Sequence, residues 1–469
     1  MYTKKLKVFL FIWLALLARI AYADPTLIAI GTVSGLYEDF AEQTAGTLEN
    51  GFPGNRLGGI GSGLAYAGGN TFLAVPDRGP NATVYQPLVD NTVSYINRFH
   101  TFKLSLAPSD PGSPLPFTLT PMLTRTTLLS SHTPLFYGTG AAVGLPSGVP
   151  ALNKVDRTHY FTGRSDNFDP LQASTNPFDA RFDPESIRVS NDGNSVFISD
   201  EYGPYVYEFD RSSGRRIRVF ELPNNLAITN LSPQVAVEIA DNKVGRIGNK
   251  GMEGLAITPD GKTLVGIMQA NLEQDTTNSL RIITIDIKTG STQQYAYQLT
   301  DGSGASEILA INNHQFLVDE RDGKGLGDKP LPTDKPSKAE VKRLYIIDLN
   351  GAQEISNVSG DLSKYAVGKT LFLDIVSKLN AAGMDSFFIP SKIEGIAFGQ
   401  DIVIGGATKH TLYIANDNDF LGVIADPTDP VNEIVENPNQ FYVFAFDDND
   451  LPGFIPQQLK SASHGHNQR

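Results

Sequence analysis

Four short runs of alternating apolar and polar residues, packed into Phe182–Leu222, constrain this chain more than any other stretch. Glu185–Val189 meets a turn at Asn191-Asp192-Gly193. Ser195–Ser199 follows and ends in Asp200-Glu201-Tyr202. Tyr205–Phe209 then leads through Ser213-Gly214 into Arg216–Leu222. Period-two alternation broken by Asp-Gly and Ser-Gly is the pattern of antiparallel strands joined by hairpins. Four such strands in about 40 residues have the size of one β-propeller blade.

The unit recurs. Met252–Ile257 leads through Pro259-Asp260-Gly261 to Thr263–Ala270 and Asn271. Ser306–Leu309 leads to Gln315–Val318 and Asp319-Glu320-Arg321. Ile393–Phe398 leads to Thr411–Ala415 and Asn416–Asp419. A fainter copy, Gly61–Tyr66 and Thr71–Val75, ends in Asp77-Arg78-Gly79-Pro80. The fold expected is all-β: a single propeller of five or six four-stranded blades over residues 24–456, followed by a polar tail at 457–469. Residues 131–180 break the repeat and read as an insertion or a degenerate blade. The run Thr26–Val33 has no nearby partner, and Phe441–Phe446 lacks a following strand. Pairing the two closes the ring and removes both free edges. Apolar spacing at Leu371, Ile375 and Leu379 predicts a short amphipathic helix over Leu371–Ala382.

The repeat also places acids. The first strand of a blade starts at one face of the ring, and the second strand returns to that face. Acids at the start of the first strand (Glu185, Glu253, Glu307, Glu394) therefore share a face with the polar cluster ending the second. That cluster comprises Asp77, Asp200, Glu201, Asn271, Asp319, Glu320, Asn416 and Asp417. Any single acid here could be a hairpin cap or a solvated side chain. The recurrence beside an apolar strand points instead to a shared ring beside the central channel.

Composition narrows the chemistry. There is no Cys, which excludes disulfides, thiolate-bound zinc and a thiol nucleophile. Lys4, Lys5 and Lys7, the apolar run Val8–Leu17 and Ala21-Tyr22-Ala23 read as an export signal over residues 1–23. Its removal takes four basic residues (Lys4, Lys5, Lys7, Arg19) and no acid from 38 against 51, leaving 34 against 51 and a net charge of −17. Such a balance argues against nucleic acid and anionic membranes as partners. The expected product is a periplasmic or secreted monomer that meets a small anionic or ester substrate. No G-x-S-x-G stretch occurs, and the histidines at 100, 132, 159, 314 and 410 are scattered, so neither a serine elbow nor a His-ligated metal is expected.

Five segments, Asp77–Asn81, Asp183–Ser186, Ser199–Tyr205, Asn249–Leu255 and Lys392–Ile396, together resemble the phytase-like domain family, also called the "esterase-like activity of phytase" family. The resemblance spans about residues 50 to 450. The chain departs from the repeat at Ser62, where the first-strand acid is missing, and at Ala270-Asn271. The resemblance implies an exported hydrolase of phosphoesters. On this reading Glu185, Glu253 and Glu394 handle metal or water. Asp77, Asp200, Glu201, Glu307, Asp319 and Asp417 are further metal ligands, and Arg78, Lys250 and Lys392 hold the substrate's negative charge. Arg181 and Arg321 lie beside the ring as well. Ca²⁺ is the expected ion, because it takes six to eight hard oxygen ligands. Two other readings stand beside this one: a calcium-dependent lactonase or carboxylesterase on the same scaffold, and a non-catalytic propeller whose acids bind structural calcium.

Overall fold

The computed structural model describes residues 24–460. The export signal at 1–23 and the tail histidines His464 and His466 lie outside the described residues. Five antiparallel sheets with four strands in their main order form the blades, one of them carrying a short extra strand, Ile402–Ile404, and three two-stranded pairings lie outside them. Blade one is Gly63–Tyr66, Thr71–Val75, Arg98–Pro108 and Phe117–Leu128; blade two is Pro184–Val189, Ser195–Asp200, Val206–Asp210 and Arg216–Phe220. Blade three is Met252–Ile257, Thr263–Met268, Ser279–Asp286 and Thr292–Gln298; blade four is Gly304–Ala310, Gln315–Arg321, Lys342–Asp348 and Lys369–Asp374. Blade five takes Lys392–Phe398, Ala407–Asp417 and Asn439–Phe446, and its outermost strand is Thr26–Val33. The pairing runs from Thr26 opposite Ala445 to Val33 opposite Asn439.

The first strand of each blade packs beside the first strands of both neighbours, so five inner strands surround the axis. They are apolar and buried along nearly their whole length, as in Met252–Ile257. Outside them, aliphatic and aromatic side chains fill the wedges between blades. Leu317, Leu344 and Ile396 belong to one such cluster, and Phe72 and Tyr413 to another, with ring centroids 4.4 Å apart. Hairpin turns fall where the sequence places Asp-Gly: Gly193 and Gly261 have φ of +76° and +71°, which L side chains with a Cβ rarely adopt.

Blade number is thus five. Residues 131–180 are an insertion and form no sixth blade. Their regular structure is a two-residue pairing of Ser131 and its neighbour with His159–Tyr160, and a short 3₁₀ turn at Ala141–Val143. The helix expected over Leu371–Ala382 divides at Asp374. Lys369–Asp374 is the outer strand of blade four, and the helix is Ile375–Ala381, capped by Ser377 N–H donating 2.9 Å to Asp374. Strand Lys342–Asp348 offers an open edge that captures the first half of the apolar run.

The tail does not simply run off into solvent. Ile455, Gln458 and Lys460 donate backbone hydrogen bonds to Ile311, Pro259 and Asn191 of blades four, three and two. This crossing covers the end of the channel opposite the acids.

Candidate functional site

Pairing registers align the five blades residue by residue. The inner strands of blades two to five carry a bulge or register shift near their start, and in all five blades Leu64, Ile187, Leu255, Ile308 and Ile396 face Ala74, Ile198, Gly266, Val318 and Ile414. Counting back along the first strands gives one equivalent position: Ser62, Glu185, Glu253, Ser306 and Glu394. Counting forward along the second strands gives another: Asp77, Glu201, Gln269, Arg321 and Asp417. The three glutamates of the first set and all five residues of the second line one cavity of about 110 Å³ at the channel mouth, joined by Arg78, Asn249 and Lys392.

This count relocates several expected residues. Glu307 is one residue further along its strand than Glu185, Glu253 and Glu394, at the position held elsewhere by Gly63, Ser186, Gly254 and Gly395. Inner strands crowd there: a Cβ on Gly254 would sit 2.7 Å from the Ile308 nitrogen. The Glu307 side chain instead uses the space its glycine counterparts leave. It accepts from Ser186 Oγ at 2.8 Å and Leu255 N–H at 3.0 Å and pairs with Arg188. Asp200 also turns away from the cavity, accepting backbone N–H from Asp183 and Gly203 at 2.7 and 2.6 Å. Asp319 is buried against Ser306 Oγ at 3.1 Å. Glu320 accepts from Tyr297 and the backbone of residues 300–302. Asn416 accepts from Gln440 N–H. Asn271 braces its own turn through Leu272 and Asp275 carbonyls; Gln269 occupies the ring position in that blade. Lys250 is exposed and does not line the cavity, whereas its neighbour Asn249 does. Arg181 pairs with Glu238 at 3.2 Å, outside the acid cavity.

The cavity gathers six carboxylates and three cations. Arg321 lies between Glu394, with which it pairs directly, and Glu253 at 3.6 Å. Gln269 Nε2 donates to Glu253 at 2.7 Å. Lys392 spans Asp417 and Asp419 at 2.9 and 2.5 Å. Arg78 donates to Asp183 at 2.6 Å and stands 3.7 Å from Glu201. Glu185 has no hydrogen-bond or ion-pair partner among the described residues, although it is only 8% exposed.

Crowded acids in a dry site resist ionisation. Burial, then Glu253 and Asp183, hold the Glu185 carboxyl well above the usual range. Burial with Glu201 and Glu394 does the same to Glu253, and burial with Asp417 to Asp77. Burial and Asp183 lift Glu201 to about 7, against the pull of Arg78. Burial lifts Asp417 to about 6 although Lys392 opposes it.

Two trios bring carboxylate oxygens within 4.8 Å of one another: Asp183, Glu185 and Glu201, and Asp77, Asp417 and Asp419. Lys392 already neutralises the second. The first offers hard oxygens, with Arg78 hydrogen-bonded to Asp183 alone of the three, and the unpartnered Glu185, a donor set that fits Ca²⁺. Asp183, Asp419, Gln269 and Asn249 were not singled out as ligands by the sequence reading. Counting three residues on from the second-strand positions paired with the inner strands, Ala74, Ile198, Gly266, Val318 and Ile414, finds Gln269 in blade three.

Residues 55–420 match the family model described as "Phytase-like: Esterase-like activity of phytase". The chain belongs to the phytase-like family. Within known proteins, an uncharacterized secreted protein of Arthroderma benhamiae is 25% identical over 477 residues, covering 87% of this chain and 85% of that one. A periplasmic gluconolactonase of Pseudomonas aeruginosa aligns over 90% of this chain and 99% of its own at 12% identity and a TM-score of 0.32. A luciferin-regenerating enzyme aligns over 93% and 100% at 10% identity and the same score. The fold of this family member rests on its own strand pairing. Among the described residues, no helix is long and apolar enough to cross a membrane.

Proposed function

We propose that this chain is an exported hydrolase of ester bonds, phosphoesters first, acting in the acid-lined cavity with a divalent cation, Ca²⁺ by donor chemistry. The observation that carries this is the meeting of six carboxylates and three cations in one cavity, with Glu185 left unpartnered. Asp183, Glu185 and Glu201 would hold the ion, which would neutralise ester oxygens and acidify a bound water. Arg321 and Lys392 reach the same cavity and can donate to substrate oxygens from either side. Glu253, whose carboxyl stays protonated to unusually high pH, is suited to pass a proton to a leaving oxygen. Export is supported by the signal at 1–23 and by the secreted relative.

A second reading follows from the same charge count. Every cation lining the cavity already touches a carboxylate, so an uncharged lactone or carboxylic ester would enter at lower electrostatic cost than a phosphate. One assay separates the readings. Purified mature protein and Glu253→Gln are given p-nitrophenyl phosphate, bis-p-nitrophenyl phosphate, phytate and p-nitrophenyl acetate, with Ca²⁺ or with chelator. Cation-dependent turnover of a phosphate ester, lost in the variant, supports the first reading. Turnover of the acetate alone selects the second. No turnover of any ester rejects both.

A further inference from the structure

The insertion at residues 131–180 does more than interrupt the repeat. With the segments near Val89 and Pro233 it forms a second, partly open pocket of about 380 Å³, lined mainly by Val89, Phe136, Phe168 and Pro233, with Asp166 and Asp169 also in its wall. That volume falls within the range of small-molecule sites, about 300–1,000 Å³, and exceeds that of the acid cavity. Phe136 is half exposed in its wall.

The pocket is tied to the acid cavity by a ladder of stacked groups. The Arg181 guanidinium lies 4.5 Å from the Phe168 ring and 5.0 Å from the Tyr202 ring, and the Arg78 guanidinium lies 5.9 Å from the Tyr202 ring. Phe168 lines the apolar pocket and Arg78 lines the acid cavity. Between them a crevice of about 10 Å³ shares Arg78 and Asn249 with one and Pro233 with the other. That crevice holds about one water, so a bound molecule would cross above it, over Asn249 and Pro233. Tyr202 is held in the ladder by its hydroxyl donating 2.9 Å to the Gly163 carbonyl.

We propose that this pocket receives an apolar group, aryl or alkyl, of the ester whose polar centre occupies the acid cavity. The assignment rests on the hydrolase reading above and adds the substrate class: an amphipathic ester rather than a small polar phosphate. The insertion then sets specificity and takes no part in the bond-breaking step.

The test compares p-nitrophenyl methyl phosphate with p-nitrophenyl dodecyl phosphate, which share a leaving group and differ in whether the ester chain is long enough to span the ladder. The wild type should show a KM at least tenfold lower for the dodecyl ester. Thr139→Trp, an exposed position in the pocket lining, should erase that preference and leave the methyl ester unchanged. A binding arm needs no turnover: 8-anilinonaphthalene-1-sulfonate should bind the wild type saturably and be lost from Thr139→Trp. Equal KM values for the two esters overturn the assignment whatever the dye does. If neither ester turns over, the hydrolase reading fails and the dye decides. Equal dye binding by both proteins then overturns the pocket assignment, and selective loss retains it as an apolar ligand site.

Discussion

Arg188 of blade two and Glu307 of blade four meet inside the channel, Nη2 to Oε2 at 2.9 Å, both buried. Arg188 also donates to the Leu64 carbonyl of blade one at 2.7 Å and the Ile308 carbonyl of blade four at 3.1 Å. Glu307 accepts from Ser186 of blade two and Leu255 of blade three. One ion pair thus ties four of the five blades together at the axis. Above pH 7, where Glu307 is ionised, removing Arg188 strands a buried charge, which costs about 3–5 kcal/mol. Arg188→Met should therefore lower the urea midpoint sharply. The double variant Arg188→Met/Glu307→Gln should recover part of the loss. A single variant with an unchanged midpoint would show that the pair is solvated.

The same pair gives stability a pH dependence. Burial, opposed by Arg188, lifts Glu307 to about 7, and burial, opposed by Ser306 and Arg321, lifts Asp319 to about 8. Folded, these groups hold protons that the unfolded chain releases near pH 4 to 4.5. Their contribution is complete below that value and is lost as pH rises through 7 and 8. In chelator the melting temperature should fall between pH 5 and 8. Asp319→Asn should flatten the upper part of that slope.

Cation binding is expected at Asp183, Glu185 and Glu201. Calorimetric titration with Ca²⁺ should show at least a tenfold loss of affinity for Glu185→Gln. Asp419→Asn should bind as wild type does, because Lys392 already occupies the space between Asp417 and Asp419. The reverse pattern would move the ion to the other trio.

Arg321 is expected to hold the ester and not the cation. It is the one cation that comes from the ring position itself, beside Glu253 and Glu394. Arg321→Met should raise KM for an anionic ester tenfold or more while Ca²⁺ affinity at the Glu185 trio stays within a few-fold. An unchanged KM would make Arg321 a partner of the acids alone.

The blade pattern was legible because strand alternation and Asp-Gly turns are local signals. Five repeats of them, with one orphan run at each end, leave ring closure as the economical topology. The acid ring was legible only to within a residue. A bulge early in an inner strand moves a side chain from one face to the other, and no residue type marks it. Glu307 reads as equivalent to Glu394 by residue type, although it stands one residue, not two, before the isoleucine paired with the second strand, and so points into the axis. Asp183 precedes its strand and acquires its role through Arg78 of another blade, a contact with no sequence signature. Leu371–Asp374, the start of the run with helical spacing over Leu371–Ala382, joins the strand Lys369–Asp374 because a free edge lies beside it.

Ring closure itself can be tested through Thr26–Val33. Leu27, Ile28 and Ala29 are buried; Leu27 joins the cluster shared by blades four and five, and Ile28 and Ala29 join that of blades five and one. The strand beneath, Asn439–Phe446, is buried at every position. Without its partner it would present a long apolar edge with unpaired backbone groups, which recruits other chains. A chain lacking residues 24–33 should therefore self-associate, seen as concentration-dependent light scattering. Ile28→Ala keeps the pairing and removes only packing. It should remain monomeric and lose about 2–5 kcal/mol of stability. A shortened chain that stayed monomeric with an unchanged melting temperature would show that blade five is complete with three strands.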